Sequence, residues 1–311
     1  MAVDDHTRTA EAGTTPQKAG TEAPTTKAEA ITMTSPALTL VLGGTGKTGR
    51  RVVRRLTDRG HQVRIGSRNG GIPFDWNDAT TWQPALAGVD AVYVSYQPDL
   101  AVPGAPEAIG VFAELAVRTG ARRLVLLSGR GEPEAEACER ALAAQGAQWT
   151  VLRASFFAQN FSEGDFLGPI LDGELALPVG DVEEPFVDAD DIAEVAATVL
   201  AEGGHTGRTY DLTGPRLLTF AQAAAEIGAA TGREIGYVTV PAEAYAAELA
   251  AHGVPADVTG LLTYLFTEVL DGRNAHLGDG VRQVLGRPAR DFTEYAAEAA
   301  ATGVWSPGAT S

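Results

Sequence analysis

The chain has 311 residues, 44% of them hydrophobic, with 40 Asp and Glu against 24 Lys and Arg, a formal charge of -16. Such an acidic balance argues against nucleic acid as a partner, because phosphate backbones demand a basic surface. No apolar run reaches the ~20 residues of a bilayer span, and a lone cysteine, Cys138, rules out an internal disulfide or a zinc cluster. These features point to a cytoplasmic protein with neither membrane nor nucleic acid as partner.

Residues 1 to about 35 are Ala, Thr, Glu, Lys, Gly and Pro with little that is apolar, so a disordered N-terminal extension is expected there. Leu38 to Leu42 then reads as a buried strand. It runs into Gly43-Gly44-Thr45-Gly46-Lys47-Thr48-Gly49 and a helical pattern with Val52, Val53 and Leu56 on one side. Strand, glycine turn and helix in that order is the dinucleotide-binding pattern. The glycines provide the tight turn and the close approach of backbone N–H groups to a pyrophosphate, held at the positive helix end. A nucleotide-hydrolase phosphate loop is excluded, because its leading glycine would fall at Val41.

The second strand, about 61 to 66, ends in Ser67-Arg68-Asn69 with no acidic residue. NAD-selective sites place a carboxylate on the ribose there. A guanidinium with a hydroxyl suits a 2′-phosphate instead, so NADPH is the expected cofactor. The arginines at 50, 51, 54 and 55 are read as flanking the phosphate-binding helix start or facing solvent. Asp75 and Trp76, after a short strand, are expected beside the adenine, and Asp78 caps a helix through Ala87.

Strands follow over 91–96, 123–128 and 149–153, with helices up to Thr119 and over 133–145 between them. This alternation predicts an α/β fold, a Rossmann doubly wound parallel sheet, with ligands beyond the carboxyl ends of its strands. The ligand-facing positions are then the glycine turn, Ser67, Arg68, Asp75, Ser95 to Pro98 with Tyr96, Ser128 to Gly131, and Ala154 to Asn160 with Phe156 and Phe157. The NADP-binding domain spans 36–160. A smaller C-terminal α+β substrate lobe spans 161–305, with strands returning to the main sheet. In it, strands are expected over 174–178, 185–187, 208–212 and 235–240. Asp190 or Asp191 caps a helix to Ala201, Thr219 caps the next, and helices lie near 242–252, 256–271, 277–286 and 291–301. Asp188, Asp190 and Asp191 are assigned to helix capping, with no metal.

The glycine turn, Leu126-Leu127-Ser128-Gly129, Trp149 to Phe161 and Phe186-Val187-Asp188-Ala189-Asp190-Asp191-Ile192-Ala193 resemble the NmrA-like atypical short-chain dehydrogenases. Within that group the chain is most similar to the ergot-alkaloid reductase (festuclavine dehydrogenase-like) branch and its bacterial imine-reducing relatives. The resemblance spans about 38 to 300. It implies NADPH-dependent reduction of a C=N bond. The wider group also implies quinone reductases and redox sensors that hold the cofactor without turning it over.

One departure bears on chemistry. Short-chain dehydrogenases carry Tyr-x-x-x-Lys on the helix after the serine-bearing strand. Here that helix reads Glu132 to Leu142 with neither Tyr nor Lys. A ketone needs that proton relay, whereas an iminium carbon is already electrophilic and needs position above all. Ser128 and Tyr96 are the candidate catalytic hydroxyls. Glu132 and Glu139 are candidates to balance a cationic substrate, and Phe157, Asn160 and Tyr264, with Phe266, Asn274 and His276, to shape its pocket. Three readings stand: an imine reductase with a small electrophilic substrate, a reductase of quinones or activated alkenes, and a non-catalytic NADP sensor. Oligomerisation is left open.

Overall fold

The computed structural model describes residues 37–306; the extension expected over 1–35 lies outside the described residues. Leu38–Leu42 is β1, and the glycine turn leads from it into α1, Gly49–Asp58. β2 (Gln62–Ser67), β3 (Ile72–Pro73), a 3-10 turn and α2 (Trp82–Leu86) follow. Then come β4 (Ala91–Val94), α3 (Ala105–Thr119), β5 (Arg123–Gly129), α4 (Pro133–Ala143) and β6 (Gln148–Ala154). Beyond them lie α5 (Asn160–Glu163), α6 (Leu167–Asp172), β7 (Glu174–Leu177), β8 (Glu183–Glu184) and α7 (Ala189–Ala201). β9 (Arg208–Leu212), β10 (Leu218–Thr219), α8 (Phe220–Thr231), β11 (Gly236–Thr239), α9 (Ala242–Ala251) and α10 (Ala256–Tyr264) continue the chain. A π-helical turn (Leu265–Val269), α11 (Gly280–Leu285) and α12 (Phe292–Ala301) complete it.

The main sheet has seven strands in the order β3-β2-β1-β4-β5-β6-β9, every neighbouring pair parallel. Val41 stands opposite Ile65 on one side and Tyr93 on the other. The chain order therefore reverses at β1, and the crevice beyond the ends of β1 and β4 is where such a sheet binds its ligand. Side chains of α2, α3 and α4, with Phe112 and Trp82 fully or almost fully buried, cover one face. Val52 and Leu56 of α1 and Ile192 of α7 cover the other. Ten of the thirteen residues of α7 are buried, so this helix is core on nearly every side and not a surface helix. A third apolar core, with Phe161, Phe186, Phe220, Phe292 and Trp305, belongs to the C-terminal half, which also returns β9 to the main sheet.

Three local readings are corrected. The strand expected over 185–187 lies instead at β8, which pairs antiparallel with β10, and Val187 makes only an isolated bridge to Phe157. Pro185 has no N–H to give a ladder. Asp188, not Asp190 or Asp191, caps α7, accepting from the Asp190 N–H at 2.8 Å. The α1 arginines also do more than face solvent. Arg51 pairs with Glu163 at 2.6 Å and Asp190 at 3.0 Å, and Arg55 with Asp190 at 3.1 Å and Glu194 at 3.0 Å, tying α1 to α7.

Candidate active site

The glycine turn is shaped by contacts that only glycine permits. Gly43 has φ +63°, and its carbonyl accepts from the Gly46 N–H at 2.8 Å. A Cβ on Gly49 would lie 2.1 Å from that same carbonyl oxygen, so the start of α1 packs directly on the turn. Beneath it the buried Tyr93 hydroxyl donates to Thr48 Oγ1 at 3.1 Å. No side chain caps α1; the Arg50 and Arg51 N–H groups donate instead to the Gly46 and Thr48 carbonyls at 3.1 and 3.0 Å. Lys47 donates to Asn160 Oδ1. Burial is the largest influence on Lys47 and lowers its pKa, against the opposing charges of Glu163 and Asp165. Thr45 is exposed.

At the end of β2, Ser67 Oγ is buried with no hydrogen-bond partner, and Arg68 beside it is exposed. Asp75 turns back to accept from the Asn77 N–H at 2.9 Å. Trp76 packs against Phe74, Trp82, Phe112 and Tyr96 and donates its indole N–H to the Ser95 carbonyl at 3.0 Å. Trp76 thus braces the end of β4. Neither Asp75 nor Trp76 lines the central cavity.

That cavity, about 510 Å³, adjoins the glycine turn at Gly43, Gly46, Lys47 and Thr48. Its walls collect the ends of β4 (Ser95 to Leu100), β5 (Leu127 to Arg130 and Glu132) and β6 (Ala154 to Phe157), with Asn160. The roof is Tyr245 of α9, Leu261 and Leu262 of α10, and Leu265, Phe266 and Val269 of the π-helical turn. Topology alone brings these positions together, as the sequence pattern requires. Among the expected site residues, Thr45, Gly49, Ser67, Arg68, Tyr264 and His276 also lie outside this lining, and the Tyr264 hydroxyl donates instead to Glu134 Oε2 at 3.0 Å. His276 is engaged by Arg130, and Asn274 donates to the Arg130 carbonyl.

The candidate hydroxyls differ in freedom. Ser128 is buried and donates to Glu139 Oε1 at 2.6 Å, and Glu139 is clamped by Arg153 at 2.8 and 2.6 Å. The Tyr96 ring lies 4.8 Å from that of Trp76, and burial, with the nearby Cys138, raises its pKa.

Carboxyls are the dominant titratable groups in the wall. Glu132 folds back on Gly129, where a Cβ would lie 2.0 Å from Glu132 Oε1. Burial first, then Asp99 and Glu134, push its pKa up to about 8. Burial also raises Asp99, against a hydrogen bond from the Ala101 N–H. Glu184 is pushed up to about 7 by burial, opposed by the Phe156 N–H and by Arg130. Arg130 falls within the ligand-facing stretch expected after β5, whereas Asp99 and Glu184 escaped the sequence reading. Asp99 was within reach of it, one residue beyond the ligand-facing stretch that ends at Pro98; Glu184 depends on the β8–β10 pairing, for which the sequence has no periodic signal.

A seven-stranded parallel sheet with a glycine-bound helix start and a deep cleft at its switch point defines an NAD(P)H-dependent oxidoreductase of the Rossmann type. The chain belongs to the NAD(P)H-binding family, which it matches over residues 43–203. It is 34% identical over 281 residues to the uncharacterized oxidoreductase YesF of Bacillus subtilis (strain 168), covering 86% of this chain and 97% of the relative. It is 31% identical over 283 residues to festuclavine dehydrogenase easG of Aspergillus fumigatus, covering 83% and 96%. Among solved structures it resembles the NADPH-dependent quinone oxidoreductase of Escherichia coli in complex with NADPH, with a TM-score of 0.72 at 22% identity, covering 84% and 99%. The expected resemblance to the ergot-alkaloid reductases and the expected fold are both borne out. Among the described residues no helix is long and apolar enough to cross a membrane.

Proposed function

We propose that the protein uses NADPH to reduce the C=N bond of a cyclic imine or iminium. The observation that carries this reading is the composition of the cleft. An aromatic-walled cavity beside the glycine turn holds buried carboxyls, Glu132 foremost, while α4 lacks the Tyr-x-x-x-Lys pair. The relative named festuclavine dehydrogenase supports it.

The chain's groups fit the cofactor. Gly43, Thr45, Gly46, Lys47, Thr48 and Gly49 would hold the pyrophosphate, the close packing at Gly49 leaving room for nothing larger. The unpartnered Ser67 hydroxyl and the adjacent Arg68 suit a 2′-phosphate. Ser95, Tyr96, Ser128, Ala154 and Phe156 would flank the nicotinamide half, with Asp75 and Trp76 supporting the adenine side from behind. NADPH, when bound, supplies a hydride.

The remaining tasks fall to side chains. Phe156, Phe157 and Phe266 exclude water and present flat apolar surfaces to a planar acceptor. A Glu132 carboxyl that keeps its proton near neutral pH donates it to a neutral imine nitrogen; ionised, it balances a cationic one. Tyr96, held neutral, orients the acceptor by its hydroxyl. Ser128 is occupied with Glu139 and serves to position the end of β5.

The test is NADPH consumption across cyclic imines, quinones and simple ketones. Turnover of cyclic imines alone is expected. Preferred turnover of quinones would support the quinone reductase reading, and binding without any turnover the sensor reading; either result overturns the proposal.

A further inference from the structure

Two buried polar atoms in the cavity residues have no partner within the described protein: Arg130 Nη1 and Glu184 Oε2. Neither residue is loose. Arg130 is 5% exposed and Glu184 2%, and the rest of each is tied down. Arg130 Nη2 lies 2.8 Å from His276 Nε2 and donates to the His276 carbonyl at 3.1 Å. The Arg130 carbonyl accepts from Asn274 Nδ2 at 3.0 Å. Glu184 Oε1 accepts from the Phe156 N–H at 3.1 Å. Each side chain therefore keeps one atom uncommitted, a donor on Arg130 and an acceptor on Glu184.

Both residues line the same cavity. Among the described residues they form no direct ion pair, yet the guanidinium is close enough to act on the Glu184 carboxyl. Leaving a buried donor or acceptor unmet is costly, so a ligand meeting both at once is favoured. A carboxylate ligand would satisfy Arg130 but repel Glu184, and an ammonium the reverse. A neutral amide carries an acceptor oxygen and a donor nitrogen on one carbon and offends neither.

We propose that Arg130 and Glu184 clamp an amide, the free guanidinium N–H meeting its carbonyl oxygen and the free carboxylate oxygen its N–H. The inference rests on the reading of this cavity as the cofactor and substrate cleft. The same chemistry has two sources, the carboxamide of the nicotinamide ring and a lactam or secondary amide of the substrate.

Calorimetry separates them. One arm compares NADPH with its reduced 3-acetylpyridine analogue, in which a methyl ketone replaces the carboxamide. The other compares 2-piperidone with N-methyl-2-piperidone, on the free protein and on the protein saturated with NADP+. At least one pair should differ by about tenfold or more in Kd, and that pair identifies the source. Glu184→Gln should abolish the difference, since its carbonyl still accepts from Phe156 while an NH2 replaces the free oxygen. If that variant does not fold, the ligand comparison on the wild type still decides. Discrimination of less than about twofold in both pairs overturns the clamp and leaves bridging waters as the partners of the two atoms. Failure to take up any dinucleotide instead contradicts the proposed function, and the lactam pair on free protein then decides the clamp alone.

Discussion

Replacing Glu132 with Gln removes an ionisable group from the cleft while keeping its shape. In the native protein burial, reinforced by Asp99 and Glu134, lifts this carboxyl from 4.5 to about 8. A native acid with a raised pKa keeps its proton where the unfolded chain has already released it. Its contribution is therefore neutral below the unfolded pKa and becomes a penalty as pH rises towards the native pKa. At ~1.36 kcal/mol per pH unit the full penalty is about 4–5 kcal/mol. Glu132 is only half-buried by surface exposure, and solvent screening reduces this to roughly 2 kcal/mol. Urea denaturation of wild type and Glu132→Gln at about pH 5 and about pH 9 measures it, because the pH limits bracket the window in which the proton is lost. The variant should gain roughly 2 kcal/mol on wild type between the two conditions. Glu184 titrates with the same sign in both proteins and cancels in the comparison, whereas Asp99 acts on Glu132 and is read together with it as one pair. A stability difference that does not change with pH would refute the claim that Glu132 stays protonated at neutral pH, and with it the assignment of Glu132 as proton donor.

Further outcomes follow from the same geometry. Gly49→Ala drives a methyl into the Gly43 carbonyl; thermal denaturation should show a loss of at least about 1–3 kcal/mol, and calorimetry a loss of dinucleotide binding. Arg68→Ala should weaken NADPH about tenfold while leaving NADH little changed, since only the 2′-phosphate needs the guanidinium. Ser128→Ala takes one hydrogen bond from Glu139, which stays paired with Arg153. Denaturation should register a cost of ~1 kcal/mol, and turnover should fall less than about tenfold, far short of losing a general acid.

The main sheet was legible in the sequence because its strands are short apolar runs between helical repeats. β1, β4, β5 and β6 are buried on both faces, so their signal is continuous. The glycine turn was legible because a positive φ at Gly43 and backbone contact at Gly49 leave few alternatives to glycine. The capping of α8 by Thr219 followed from the local Thr-x-x-Gln pattern, seen as a full capping box. What escaped depends on distant chain segments. The cap of α7 fell to the first of three aspartates because Asp190 and Asp191 are held by arginines of α1 and by Arg287 and the Arg290 N–H. Trp76 is half-buried against Phe74, Trp82 and Phe112, a packing that no local pattern announces. The carboxyls of the cleft reach it through loop geometry and the β8–β10 pairing, so their raised pKa values had no counterpart in the sequence.

The central claim is that a hydride goes to the carbon of a C=N bond in this cleft. Its most direct measurement is single-turnover reaction of NADPH deuterated at the nicotinamide C4 with a cyclic iminium, followed by mass spectrometry and NMR of the product amine. The account predicts one deuterium on the carbon attached to nitrogen, delivered to a single face, at a rate matching NADPH consumption. Oxidation of the labelled cofactor with no label in the amine, or an inert iminium beside a rapidly reduced quinone, would contradict it.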